Sequence, residues 1–282
     1  KITGANIYFK CENFQKIGAF KMRGASNVVF STTKKKQQNG FITHSSGNHA
    51  QAVALASKLA GVRSYIVMPK NVSEVKKNAV VSYGAKIYYC ENNEKAREEM
   101  CKDIIKKTGA LFIHPYNDYG VIIGQSTCFK EVCDDGYKLD YIITPVGGGG
   151  LASGTAISAK YFSPMTKIIL AEPQNADDAY QSFIKKKIIP VTSPNTIADG
   201  LRTSLGDKTF NIIINHVQKI ITVSEKEIIS AMRLIWERMK IICEPSCSVS
   251  LAAVLKEKKT FLNKKVGIIL TGGNVDVTKL PF

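Results

Sequence analysis

The chain has 282 residues, 44% hydrophobic and 22% charged, the ordinary balance of a globular protein with a substantial core in one large or two modest domains. Its net charge is +16, but the lysines are dispersed in short clusters at 34–36, 106–107, 185–187, 258–259 and 264–265, with no aromatic-interleaved basic stripe. Nucleic acid is therefore not expected as a partner, although some of the charge can attract anionic ligands. No run of 18 apolar residues predicts a membrane span, so no membrane partner is expected. Seven cysteines (Cys11, Cys90, Cys101, Cys128, Cys133, Cys243 and Cys247), odd in number and irregular in spacing, argue for reduced thiols in the cytoplasm. The chain begins at Lys1 without Met and enters a strand almost at once, as a clipped chain would, so a missing targeting segment decides nothing.

Apolar runs at 7–11, 41–43, 64–68, 86–90, 141–144, 167–171, 220–223 and 266–270 predict strands. Helical patterns lie between them, among them 49–59, 95–107, 151–159, 225–239 and 246–256. Strands separated by helices of this length imply right-handed crossovers and a mostly parallel sheet, an α/β fold whose ligands collect at the carboxyl ends of the strands. The stretch 195–207 is the most irregular, with polar and glycine residues suited to lining a site.

The first chemical candidate in chain order is Lys21, between Gly18-Ala19-Phe20 and Met22-Arg23-Gly24. A lysine that forms a Schiff base must be partly desolvated to supply free amine; the alternative is a surface lysine at a helix start. Next, Thr43-His44-Ser45-Ser46-Gly47-Asn48-His49 packs hydroxyls, an amide and two imidazoles between a strand and a helix. Helix N-terminal amides there can hold a carboxylate, and the alternative is a simple N-cap. Gly147, Gly148, Gly149 and Gly150 then follow a strand and open a helix, the layout of a phosphate site. Three phosphates compete for it. A nucleoside triphosphate would want Gly-Lys-Ser/Thr, but Thr155 follows Gly154 directly and the lysine is missing. A dinucleotide is matched formally by Gly147, Gly149, Ala152 and the distant acid Glu172, which would make a nicotinamide-dependent oxidoreductase. Pyridoxal phosphate (PLP) needs the cradle together with a lysine elsewhere. In Glu172-Pro173-Gln174-Asn175-Ala176-Asp177-Asp178, carboxylates on a loop after a strand suit a hard divalent cation, or an exposed acidic loop with a helix cap. Cys243 and Cys247 lack the second pair that a metal site would want. Thr271-Gly272-Gly273-Asn274 follows the last strand and by itself reads as a tight turn.

In this order the motifs resemble the serine racemase and serine/threonine dehydratase family of PLP enzymes, which share the tryptophan synthase β-type fold. The resemblance covers nearly the whole chain: Ala19-Phe20-Lys21-Met22-Arg23-Gly24, with Ala19 where the family has Ser, then Ser45 to His49, the glycine run and Thr271 to Asn274. It implies two open, twisted, mostly parallel sheets flanked by helices. PLP would lie in the cleft between a large domain (1–39 and 118–282) and a small domain (40–117) bearing the substrate-carboxylate loop. It implies that Lys21 carries PLP, with Phe20 among the cofactor-binding residues, Asn48 facing the ring hydroxyl, Thr271 facing the ring nitrogen, and Gly147, Gly148, Gly149, Gly150 and Leu151 holding the phosphate. Lys21 and Ser46 would be the two proton-transfer residues, and Ser45, Ser46, Asn48, His49, Arg97 and Thr203 would contact an amino-acid substrate. By the same resemblance Glu172, the Ala176 carbonyl and Asp178 would hold Mg²⁺, Ca²⁺ or Mn²⁺, which explains Glu172 better than a ribose contact does. Residues 197–200, 236–240 and 244–245 match as well. The activity implied is interconversion of L- and D-serine with elimination to pyruvate and ammonia; the alternative within the family is a threonine/serine dehydratase with little racemisation, and the family implies a homodimer. Two features depart. Tyr116, in a dehydratase-like His114-Pro115-Tyr116-Asn117-Asp118, stands where vertebrate racemases carry Asn. Lys16, Gln51, Tyr83 and Lys240 match a site for ATP as activator, but Ile17 replaces a threonine there and the N-terminal segment that completes it is absent.

Overall fold

Valine- and isoleucine-rich runs form parallel strands, with helices between them, in this computed structural model, which describes residues 2–70 and 74–282. In chain order the strands are β1 (Asn6–Cys11), β2 (Phe41–His44), β3 (Ser64–Pro69), β4 (Lys86–Cys90), β5 (Leu111–Phe112), β6 (Tyr141–Pro145), β7 (Lys167–Pro173), β8 (Lys219–Val223) and β9 (Lys265–Leu270). The helices are α1 (Lys21–Ser31), α2 (Lys34–Gln37), α3 (Asn48–Leu59), α4 (Glu74–Ser82), α5 (Glu94–Thr108), α6 (Tyr119–Asp134), α7 (Gly150–Phe162), α8 (Asp178–Lys185), α9 (Asp207–His216), α10 (Glu225–Met239), α11 (Pro245–Lys256) and α12 (Lys258–Phe261). The chain divides into one unit of Lys1–Phe20 with Gln125–Phe282 and a second of Lys21–Gly124.

The first unit is built on a five-stranded sheet in the order β1-β9-β6-β7-β8, every pair parallel. Its strands are apolar on both faces because helices cover both. Successive residues split between the two faces, as the two-residue period of a strand requires. Ile143, Ile169, Ile221 and Ile268 pack with Ile228, Met232 and Ile235 of α10 and Val249 of α11. Their neighbours Ile142, Leu170, Ile220 and Ile269 pack with Phe129 of α6, Ala156 of α7 and Ile213 of α9. Helix α10 starts on a reciprocal cap, in which the Ser224 hydroxyl accepts from the Glu227 amide and the Glu227 carboxylate accepts from the Ser224 amide.

The second unit holds a four-stranded parallel sheet in the order β4-β3-β2-β5, with Ile42, Tyr65 and Val67 packed against Cys101 and Ile104 of α5. Helix α6 is absent from the helical patterns named in the sequence, and Gly120 and Gly124 lower its propensity. Gly124 serves close packing instead: a Cβ there would lie 2.5 Å from the Gly24 Cα of α1 and 2.6 Å from the Arg23 carbonyl. The short β5 and helices α8 and α9 were likewise not named; α9 begins where the irregular stretch ends. All seven cysteines are free thiols, and among the described residues no helix is long and apolar enough to cross a membrane.

Candidate active site

Lys21 opens α1, and the segment leading into it is held by the loop after β9. The Phe20 amide donates to the Thr271 carbonyl, Ala19 bridges Gly272 in antiparallel fashion, and the Gly273 amide donates to the Gly18 carbonyl. The Asn274 amide side chain closes the pairing on the Ile17 carbonyl at 2.7 Å. Residues 271–274 are thus more than a tight turn: they fix the approach to the lysine. The turn is strained, because Ile17, a β-branched residue, has φ +62° ahead of Gly18 at φ +70°.

Lys21 is half-buried, and its Nζ donates to the Pro115 carbonyl at 2.9 Å. The adjoining residues of that segment are acceptors too. The Ile113 carbonyl takes the Thr43 hydroxyl at 2.8 Å and His49 Nε2 at 3.2 Å, and His114 Nδ1 accepts from the amides of Tyr116 and Asn117. Since a carbonyl can only accept, His49 carries its proton on Nε2, and its buried Nδ1 has no partner. Burial, followed by the nearby Lys21 cation, holds the His49 pKa well below the usual imidazole value. A neutral imidazole therefore stands beside the lysine amine.

The loop from β2 to α3 leaves open space at Gly47. Gly47 has nothing within 4 Å of the position a Cβ would take, and its amide donates to the Ser45 hydroxyl at 3.2 Å. Ser46 is half-buried and makes no hydrogen bond among the described residues. Ser45, Ser46, Asn48, His49 and Lys21 all belong to the second unit, as does Arg97. Arg97 lies on α5 with its Nε on the Asn93 carbonyl and its charge near Cys90, and no hydrogen bond ties it to the 45–49 loop.

In the first unit the glycine run bends sharply between β6 and α7. A Cβ on Gly147 would lie 2.9 Å from the Leu201 Cα and 3.3 Å from the Thr203 hydroxyl, so the irregular 197–203 stretch closes over the loop and brings Thr203 to it. Gly149 has φ +86°, which favours glycine. Among the described residues no hydrogen bond is donated by the amides of residues 147–150, which lie at the positive, N-terminal end of α7. Thr271 is buried at the end of β9. An amine beside a carbonyl acceptor, a loop of unclaimed amides and a buried hydroxyl are the groups that PLP requires, so these residues fit that cofactor.

Glu172, at the end of β7, is fully buried and accepts the Ala179 and Tyr180 amides at 2.9 and 2.8 Å, at the start of α8. It is committed to that helix rather than to a ribose. Burial, then the charge of Asp178, pushes the Glu172 pKa well above the carboxylate range. Asp178 is pushed up to about 7, chiefly by burial; the amides of Asp178 and Leu205 temper the shift, but neither carboxylate oxygen has a hydrogen-bond partner. Two buried acids side by side, one with both oxygens unclaimed, fit a hard cation, with the carbonyl of the adjacent buried Ala176 as a further oxygen. No group of three or more acid, histidine or cysteine side chains is placed for a metal among the described residues, and Cys243 is instead in contact with Ser248 at 3.3 Å.

Of the four residues matched to an ATP site, Lys16 and Lys240 are exposed on the first unit, whereas Gln51 is buried in α3 and Tyr83 is half-buried just after α4 in the second. The motifs did not reveal the Pro115 carbonyl, because a backbone acceptor carries no residue-type signal, nor the packing of α9 behind the glycine loop.

Residues 1–272 match the pyridoxal-phosphate dependent enzyme family. The chain is similar to the beta-hydroxyaspartate dehydratase of Paracoccus denitrificans (strain Pd 1222), at 47% identity over 100% of this chain and 90% of that protein. It is similar to the serine racemase of Dictyostelium discoideum at 48% identity over 99% of this chain and 88% of that one. Its fold is similar to that of maize serine racemase, with a TM-score of 0.96 and 43% identity, covering 98% of this chain and 86% of that chain. With the lysine, the unclaimed amides of the glycine loop and this full-length similarity together, the chain belongs to the pyridoxal-phosphate dependent enzymes.

Proposed function

We propose that this enzyme is a serine racemase that interconverts L- and D-serine and also eliminates water from serine, giving pyruvate and ammonia. The observation that carries the reading is the Lys21 amine on the Pro115 carbonyl beside a neutral His49, in the same unit as a Ser46 whose hydroxyl has no partner. When bound, PLP supplies the electron sink that makes the α-hydrogen of an amino acid acidic.

Every other task falls to the chain. Lys21 would be the covalent anchor for the cofactor and the group that takes the α-proton. The neutral His49 places no second positive charge beside the lysine. Ser46 returns a proton to the opposite face, which gives the mirror-image product. Ser45, Asn48, His49, Arg97 and Thr203 bind the substrate, its carboxylate drawn by the amides at the start of α3. The amides of residues 147–150, with Leu151, would hold the cofactor phosphate, Phe20 and Asn48 would hold the ring, Asn48 at its hydroxyl, and the Thr271 hydroxyl would take the ring nitrogen. Glu172, Asp178 and the Ala176 carbonyl would hold Mg²⁺, Ca²⁺ or Mn²⁺, whose charge would neutralise the buried acid pair. ATP would act at Lys16, Gln51, Tyr83 and Lys240. The enzyme is a homodimer of the cytoplasm, a setting supported by its seven free thiols.

The second reading, a threonine/serine dehydratase with little racemisation, is favoured by Tyr116, whose ring stands edge-on 4.6 Å from that of His114. Chiral chromatography of L-serine incubated with the protein, PLP and Mg²⁺, with pyruvate assayed in the same tube, separates the two. D-serine together with pyruvate is expected, and pyruvate without D-serine makes the enzyme a dehydratase.

A further inference from the structure

We propose that Thr209, on a helix outside every motif named in the sequence, is the positioning residue of the phosphate loop. The inference rests on the reading of residues 147–150 as the cradle for the PLP phosphate. Thr209 is fully buried on the first turn of α9. Its hydroxyl accepts from the Gly206 amide at 3.0 Å and donates to the Gly148 carbonyl at 2.8 Å, with the Gly206 carbonyl farther away at 3.1 Å. A threonine hydroxyl has one proton, and the shorter contact goes to the glycine loop.

The consequence follows from peptide geometry. A trans peptide unit is planar, so the Gly148 C=O and the Gly149 N–H point in opposite directions. Tying the carbonyl back to α9 turns the Gly149 amide away from α9, toward the side on which the loop amides are unclaimed. Packing enforces the same arrangement. A Cβ on Gly149 would lie 2.9 Å from the Thr209 Cβ, the Leu205 Cδ2 and the Ile213 Cδ1, so α9 stands directly behind the loop. The Ser153 hydroxyl of α7 adds a contact to the Thr209 carbonyl at 3.4 Å. Helix α9 is therefore the backstop that aims the phosphate-binding amides, and the Thr209 hydroxyl is its polar link to the Gly148 carbonyl of the loop.

The test compares PLP with pyridoxal, which has the same aldehyde and ring but no phosphate. Equilibrium binding of each to apoprotein is followed by absorbance. Thr209→Val keeps the shape and removes the hydroxyl, and it is expected to weaken PLP about tenfold, the scale of one charge-assisted hydrogen bond, while pyridoxal affinity stays unchanged. Thr209→Ser keeps the hydroxyl and is expected to bind PLP as the wild type does. The phosphorus resonance of bound PLP is expected to shift in Thr209→Val and not in Thr209→Ser. Thr209→Ala gives the same ratio of affinities should the valine variant not fold. Equal PLP affinity in wild type and Thr209→Val overturns the inference. So does loss of PLP and pyridoxal in the same proportion, or a Thr209→Ser variant that behaves like Thr209→Val. A wild-type chain that takes up neither compound overturns the cofactor reading itself, and the inference with it.

Discussion

His49 is a buried imidazole with one ring nitrogen on the Ile113 carbonyl and the other without a partner, beside a lysine. Its pKa is low in the folded chain and near 6.5 when unfolded, so on acidification the unfolded chain takes up a proton that the folded chain refuses. The stability contribution is complete above the unfolded value and is lost as pH falls below it, at up to about 1.4 kcal/mol per pH unit. Urea unfolding between about pH 5 and pH 8 should show this slope in the wild type and a smaller one in His49→Gln. At Ser46 the expectation concerns rate. Ser46→Ala should lower D-serine formation about 10²- to 10⁴-fold, the usual weight of one proton-transfer partner, with Lys21 still reducible onto PLP by borohydride. Racemisation near the wild-type rate would remove Ser46 from that role. Lys21 and Ser46 stand out in the sequence because lysine and serine side chains carry the chemistry in compact motifs. The Pro115 carbonyl that receives Lys21 does not, since every residue has a carbonyl and only the fold decides which one meets the amine.

Among the elements, α6 separates two effects of glycine. Gly124 lies on the crossing with α1, where an added Cβ would meet the Gly24 Cα at 2.5 Å, so Gly124→Val should destabilise by about 1–3 kcal/mol or more through overpacking. Gly136, just beyond the helix, has φ +79° but open space around it, so Gly136→Ala should cost only the conformational strain, about 1 kcal/mol. Urea denaturation of the two variants tests the order; equal losses would mean that the α1–α6 contact is not tight. Strands were more legible than helices here. The adjacent isoleucines of β6 and β9 and their equivalents in β7 and β8 serve both faces of one sheet, and such runs are visible in sequence. Helix α6 and helix α9 were hidden because glycines in one and a polar, irregular lead-in to the other obscure the helical period.

On the scale of the whole molecule, the alternation of strand and helix foretells parallel sheets, and two are present, of five and four strands. What the alternation does not convey is strand order, since β1 lies at one edge beside β9 and not beside β2. The buried acids at the end of β7 give a global prediction. Chelation of divalent cations should lower the melting temperature and added Mg²⁺ or Ca²⁺ should restore it, because without a cation Glu172 and Asp178 face each other out of water. Asp178→Asn should melt at the same temperature with and without chelator; a response as large as that of the wild type would place the cation elsewhere. The pairing of β1 with β9 bears on how the chain comes into being. Asn6 lies opposite Lys265, and the segment entering Lys21 is closed by Thr271 through Asn274. Such distant partners make a slow, late step in folding. On the ribosome the lysine approach stays unlocked until Thr271 to Asn274 have emerged, some 250 residues after the lysine they help to place, so the nascent enzyme remains chemically silent until then.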